Sequence, residues 1–188
     1  MHVSAEKYGC LFFDTYAEYY TRNQNYKPLA VEIGFGLDKT LEHKALSVGF
    51  DYKGVDEIHT DNPDDVYRLP FENGTVDVVV SSSCFEHDCF FWITFLEIMR
   101  VLKPNGTFYL NAPSRGGYHC HPIDCFRFFP DAGLALTKWG RKNNMKVHLL
   151  ESFTDTSESW NDYVAVFLRD EEFRLGFKTK MLDSVKDV

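Results

Sequence analysis

The chain has no uninterrupted run of 18 apolar residues, so no membrane span is expected. Positive charge is scarce: 20 Lys and Arg stand against 28 Asp and Glu, a formal net charge of -8. No Lys/Arg cluster exceeds a few residues, which disfavours nucleic acid as a partner. Internal repeats and low-complexity segments are absent. The opening Met1 to Lys7 lacks the basic-then-apolar order of a secretory leader. The cysteines, Cys10, Cys84, Cys89, Cys120 and Cys125, are odd in number. Together these two features predict reduced thiols in a cytoplasmic setting.

What is present is core-forming material. Hydrophobic residues make up 44% of the 188, with 17 Phe and 10 Tyr. That suffices for one domain with a full core and is too little for two ordinary ones. The expected layout is an N-terminal aromatic helix within 1–27, a core over 28–170 and a charged tail over 171–188.

Periodicity predicts the elements. Tyr8, Leu11, Phe12, Tyr16, Tyr19 and Tyr20 form an aromatic stripe on a helix from Ser4 to Asn23, read either as packing onto the domain or as a cover over a ligand. Strands are predicted at Leu29 to Ile33, Tyr52 to Val55, Val76 to Ser81, Thr107 to Ala112, Val147 to Phe153 and Tyr163 to Leu168. Helices are predicted at Leu37 to Val48, Phe91 to Leu102 and Pro130 to about Asn143. Lys103-Pro104-Asn105-Gly106 should stop the second of these and turn the chain. Alternation of strand and helix implies an α/β, Rossmann-like, doubly wound and mostly parallel sheet. Seven strands are expected, with an antiparallel C-terminal hairpin and an abbreviated crossover after the second strand.

The most informative stretch is Val31-Glu32-Ile33-Gly34-Phe35-Gly36, a strand ending in closely spaced glycines. The next strand ends at Asp56. Glycines after one strand and an acid after the next suit a nucleoside at the carboxyl ends of an open sheet. The third glycine of a dinucleotide fingerprint is missing; Leu37 and Asp38 follow instead. A carboxylate there would repel a pyrophosphate and tolerate a cationic sulfonium with an ammonium group.

The ordered set of Glu-Ile-Gly-Phe-Gly, Asp56, Asp65 ahead of Leu69-Pro70-Phe71, Val-Asp-Val-Val-Val-Ser-Ser-Ser and Leu-Lys-Pro-Asn-Gly resembles the class I S-adenosylmethionine-dependent methyltransferases, in a small Methyltransf_11-like branch. The resemblance covers roughly residues 28–170. Phe85-Glu86-His87 followed by His119-x-x-Pro122-x-Asp124-x-x-Arg127-Phe128 is similar to a bacterial and phage-type branch, some of it encoded near glycan genes. It implies S-adenosyl-L-methionine as cofactor. Glu32, Gly34, Phe35 and Gly36 would lie under its methionine part, and Asp56 would hold the ribose. Asp65 and the backbone at Val66 would meet the adenine, with Asp64 or Asp61 as alternatives to Asp65. Ser82 would flank the sulfonium.

The transfer itself asks mainly for alignment, and a hydroxyl acceptor also needs a base. His87, His119 and Asp124 are the candidate catalytic residues, with His121 nearby; each His is read equally as a hydrogen-bonded structural side chain. Arg127 should pair with Asp124 or bind an anionic substrate group. A zinc site drawn from Cys84, His87, Cys89, His119, His121 and Cys125 competes with this reading. No C-x2-C knuckle supports it, and no metal is expected.

The expected function is therefore methylation of a small molecule, with oxygen of a sugar or glycan intermediate as the acceptor. The alternative is a non-catalytic cofactor-binding or regulatory protein on the same fold. A homodimer partner, the aromatic helix or the loop from Ser114 to Phe129 would have to cover the substrate.

Overall fold

Side chains two apart along each strand enter the same apolar layer, and this alternation builds the molecule. The computed structural model describes residues 3–23, 25–34, 36, 38–55, 68–120, 122–157 and 159–185. Its elements are α1 (Val3–Thr21), β1 (Leu29–Ile33), α2 (Thr40–Ser47), β2 (Asp51–Val55), β3 (Val76–Ser82), α3 (Phe91–Val101), β4 (Leu102–Pro113), α4 (Ala132–Lys142), β5 (His148–Thr154) and β6 (Asp162–Leu168). Short 3-10 turns occupy Phe85–His87, Glu171–Gly176 and Met181–Ser184. Among the described residues, no helix is long and apolar enough to cross a membrane.

The sheet order is β2-β1-β3-β4-β6-β5, parallel except for β6, which runs antiparallel between β4 and β5. Val78, Val80 and Tyr109 face the layer holding α1 and α2, where Tyr8, Phe12, Tyr16 and Leu41 are buried. Val79, Phe108 and Leu110 face the layer holding Phe95, Ile98 and Met99 of α3 and Leu136 of α4. The aromatic stripe of α1 is thus packing: the Phe12 ring lies 5.0 Å from that of Tyr109.

Two expectations are corrected. Six strands, not seven, are found among the described residues. In the described part of the crossover after β2, the carbonyls of Leu69 and Phe71 accept from the Arg100 guanidinium at 3.1 and 2.9 Å. Pro70 between them has no N–H to give a ladder. The second correction concerns Lys103 to Gly106, which lies inside β4 rather than before it. Leu102 pairs with Val76 and Thr107 with Val78, so the intervening residues bulge out of register. Regular pairing starts at Thr107, where the strand was expected.

The tail over 171–185 docks on α1. Phe177 and Met181 are buried there, and Glu151 of β5 ties the tail down. Its carboxylate accepts from the Tyr16 hydroxyl and from the N–H groups of Met181 and Leu182, the last two at 2.9 and 3.0 Å. Glu151→Ala should therefore cost about 2–4 kcal/mol, since each hydrogen bond to a charged group contributes about 1.5–3 and the losses overlap. Amide exchange of residues 177–185 should rise in the variant; unchanged protection would show that the tail is held by its apolar contacts and the Tyr19 hydroxyl without Glu151.

Candidate active site

Parallel strands aim their carboxyl ends at one rim, and here β1, β2, β3 and β4 end together. Ile33 pairs with Val55 and Ser81, Ser82 with Asn111, and Pro113 with Asp162. Asp162 opens β6, and it accepts from the Ser4 hydroxyl at the start of α1. The first turn of α1 therefore borders the rim.

At the end of β1 the chain turns through Gly34, whose φ is +79°. A Cβ there would lie 2.6 Å from both Cβ and Sγ of Cys84. Only glycine meets both the backbone angle and the space. A Cβ on Gly36 would meet nothing within 4 Å, so the loop is open on its outer side. Cys84 is buried beneath it, and burial pushes its thiol up to about 12, which keeps it protonated and unreactive.

Glu32 alternates with Val31 and Ile33 and so points to the α2 side of the sheet, 4% exposed. It accepts from the Tyr52 hydroxyl at 2.7 Å. Burial, only partly offset by Tyr52 and Lys39, pushes its carboxyl up to about 7. An acid held above its ordinary value of 4.5 favours the fold most when protonated. That contribution is present at acid pH and is lost as the pH rises through about 7. Asp38 accepts from the Thr40 N–H at 2.9 Å and caps the first turn of α2, which holds its carboxyl below the usual range.

On the same sheet face, Ser82 Oγ lies 3.4 Å from Asn111 Oδ1. Asn111 is fully buried, and its Nδ2 has no partner among the described residues; the same holds for Ser83 Oγ. Ser83 itself is held at φ 52°, where its N–H donates to Asn111 O at 3.0 Å. Enclosed polar atoms with no partner are costly unless a ligand takes them up. The open glycine loop, a buried carboxylate and these two groups together fit a cofactor that is both cationic and rich in hydrogen-bonding groups. Asn111 had no place among the sequence candidates. Its signal was one polar residue inside the apolar Phe-Tyr-Leu-Asn-Ala-Pro run.

Across the rim, two loops are sewn together. Cys125 and Phe126 N–H groups donate to Glu86 O at 2.7 and 3.1 Å. His87 Nδ1 contacts Ile123 O; a carbonyl can only accept, so this nitrogen carries the hydrogen. Gly116, at φ +105°, lets Trp160 lie against the backbone, where a Cβ would be 2.2 Å from the ring. His119 then sits between His87 and Trp160, with ring centroids 4.9 and 4.8 Å away.

Asp124 sets the position of His119. Its carboxylate accepts the His119 backbone N–H at 2.8 Å and faces His119 Nδ1 at 3.2 Å. Arg127 grips it as a fork, at 2.5 and 2.8 Å. That guanidinium, acting against the carboxylate's burial, holds Asp124 well below the usual carboxylate range. The pairing reading of Arg127 is the one the geometry gives. Asp88, by contrast, has a structural use: it accepts from Phe90 N–H at 2.8 Å and from the Thr94 hydroxyl, and so ties the preceding turn to the start of α3.

The structure thus brings Glu32, Gly34, Gly36 and Ser82 to one side of the rim and His87, His119 and Asp124 to the other. Phe35, Asp56, Asp65 and Val66, expected around the cofactor, and His121, Asp61 and Asp64 lie outside the described residues. A separate apolar groove of about 450 Å³ runs between α3 and α4, lined by Phe91, Trp92, Phe126, Leu136 and Trp139.

The fold is found in known proteins. The Burkholderia thailandensis 1,6-didemethyltoxoflavin-N1-methyltransferase, solved with 1,6-didemethyltoxoflavin and S-adenosylhomocysteine, superposes with a TM-score of 0.59 at 14% identity, covering 89% of this chain and 78% of that one. The Haloferax volcanii methyltransferase solved with the Trm112 activator gives 0.55 at 19% identity, covering 84% and 96%. A Haemonchus contortus phosphoethanolamine N-methyltransferase, solved with S-adenosyl-L-methionine, gives 0.51 at 14% identity, covering 77% of this chain and 49% of that one. At such identities the likeness is one of fold. No curated protein sequence matches.

Fold and glycine loop together define a class I S-adenosylmethionine-dependent methyltransferase. The Methyltransferase domain family model matches residues 14–110, and the chain belongs to that family. Its cofactor is S-adenosyl-L-methionine.

Proposed function

We propose that the chain methylates a small molecule bearing a titratable nucleophile, a hydroxyl before an amine, and that His119 serves as the base. The observation that carries this reading is the pair His87 and His119 on the rim opposite the glycine loop, with Asp124 and Arg127 fixing His119 from behind. None of the three compared proteins is named for a sugar substrate, so the sugar or glycan acceptor gives way to the broader class.

S-adenosylmethionine supplies an activated methyl group on a sulfonium. The residues fit to hold it are Gly34 and Gly36 under its methionine part, Glu32 toward its positive charge, and Ser82, Ser83 and Asn111 at its amino end. Asp56, Asp65, Val66 and Phe35 keep the roles the resemblance gives them. His119 takes the acceptor's proton on the ring nitrogen remote from Asp124, and the carboxylate stabilises the imidazolium that results. Asp124 is in this account a positioning residue. The first turn of α1 borders the rim and would help to exclude water from it.

Two results test the proposal. With radiolabelled methyl donor and a panel of hydroxyl and amine acceptors, turnover should appear on at least one hydroxyl compound and fall at least about a hundredfold in His119→Ala, the typical worth of a general base. Turnover on amines alone, undiminished in that variant, would contradict it.

Glu32 adds a pH dependence. A cationic ligand end favours the ionised carboxylate, so binding below about pH 7 should release a proton. Affinity for S-adenosylhomocysteine should rise between about pH 6 and about pH 8, and Glu32→Gln should flatten the profile. Calorimetry in two buffers of different ionisation enthalpy reads the proton directly; equal heats at pH 6 would rule this role out.

A further inference from the structure

We propose that Glu86, His87 and His119 form a binding site for one divalent transition-metal ion, of which Zn²⁺ is the probe. One donor atom from each of the three lies within 4.8 Å of the others. A tetrahedral zinc set with bonds of about 2.0–2.1 Å places its donors about 3.4 Å apart, so modest side-chain rotation closes the gap. Glu86 Oε1 and His87 Nε2 are already 3.6 Å apart.

The second observation is how the two imidazoles are held. His87 turns its Nδ1 to the Ile123 carbonyl, and His119 turns its Nδ1 to the Asp124 carboxylate. Each contact favours the tautomer whose lone pair sits on Nε2; at His119 the carboxylate at 3.2 Å outweighs the Arg127 guanidinium, which can only donate, at 3.5 Å. Metal-binding histidines are oriented in this way, by a carbonyl or carboxylate behind the ring. Arg127 neutralises Asp124, so the carboxylate behind His119 is fixed rather than competing for the ion.

Charge and access fit as well. The Glu86 side chain is 1% exposed, His87 13% and His119 29%, which grades from a buried carboxyl group to an open mouth. The donors come from two loops that are hydrogen-bonded together through Glu86 O, so the set is preorganised. Two nitrogens and one carboxylate suit Zn²⁺ and its neighbours in the first transition row. Three donors among the described residues leave a fourth position for water or for an acceptor oxygen; with the ion bound His119 Nε2 could not also take a proton, so the acceptor would then be activated at that fourth position instead of by His119.

This is not the thiol-rich site weighed from the sequence. Cys84 is buried under Gly34, and Cys89 and Cys125 meet each other at 3.8 Å outside the donor group.

The test uses the untagged full-length chain stripped with chelator. Calorimetric titration with ZnCl₂ should give one ion per chain with a Kd at or below about 10 µM. Affinity should fall at least about tenfold in His87→Ala and in His119→Ala, and stay within about threefold in the Cys89→Ser, Cys125→Ser double variant. Co²⁺ bound to the wild type should show d–d bands without a thiolate charge-transfer band, a readout that needs no variant to fold. No stoichiometric uptake overturns the proposal. So does uptake that survives both histidine variants, or a Co²⁺ spectrum with thiolate character. Binding of S-adenosylhomocysteine, measured on the same sample, stands or falls separately from the metal result.

Discussion

Gly34→Val lowers affinity for S-adenosylhomocysteine at least about tenfold, a loss of about 1.4 kcal/mol or more. Two costs combine. A β-branched residue at φ +79° is strained by about 1–3 kcal/mol. Its Cβ also enters the space of Cys84, 2.6 Å from both side-chain atoms. Cys84 cannot move inward without disturbing the packed layer of Phe85 and Phe108 beneath the loop. The loop therefore shifts outward, into the space the cofactor needs. Cys84→Ala removes only one of the two clashing atoms and leaves the backbone strain, so the double variant does not recover wild-type affinity. Gly36→Ala is the contrasting case: with nothing within 4 Å, it leaves the fold intact. Calorimetry beside a thermal melt separates lost binding from lost stability.

Arg127→Ala has the second large effect, and it falls on the opposite side of the rim. The change removes the fork on Asp124 and the hydrogen bonds to Gly117 O and Phe126 O at 2.9 and 2.7 Å. It leaves a carboxylate only 1% exposed with its counter-charge gone. Asp124 is covered by its own loop rather than by the sheet, so water reaches it once the loop loosens. The expected cost is about 1.5–3 kcal/mol, the range for a hydrogen bond to a charged group, and not the larger value of a deep ion pair. Trypsin should then cut after Arg115 faster than in the wild type, while affinity for S-adenosylhomocysteine stays within about threefold. Arg127→Lys keeps the charge but not the fork and recovers only part of the loss. Unchanged urea midpoint and unchanged proteolysis would show that the loop is held by its other contacts, to Glu86, Pro113 and Trp160, without Arg127.

Much of the fold was legible because the strands obey period two and the helices end at strong signals. Val76 to Ser81 was placed almost to the residue and Thr107 to Ala112 matches the regularly paired part of β4, since β-branched and aromatic runs bounded by Asn-Gly have few other solutions. The seventh strand failed because only six runs carry a strand pattern, and in the described part of the crossover Pro70 and the Arg100 contacts take up the backbone. Docking of the tail was invisible: Phe177 and Met181 are isolated apolar residues in a charged stretch, and their partners, the tyrosines of α1 and Glu151, lie far back in sequence. Within the site, the glycine loop was legible because glycine has a specific backbone use. Asn111 and Glu86 were not, because one buried polar side chain carries no periodicity. What distinguishes them is burial, which sequence spacing does not report.

The central claim is that the cofactor lies over Gly34 and Gly36 with its reacting end toward His87 and His119. A crystal structure of the S-adenosylhomocysteine complex tests it most directly. The account predicts the amino-acid end of the ligand at Glu32, Ser83 and Asn111, and its sulfur facing the His119 loop. Ligand density in the apolar groove between α3 and α4, with the glycine loop unchanged, would contradict it.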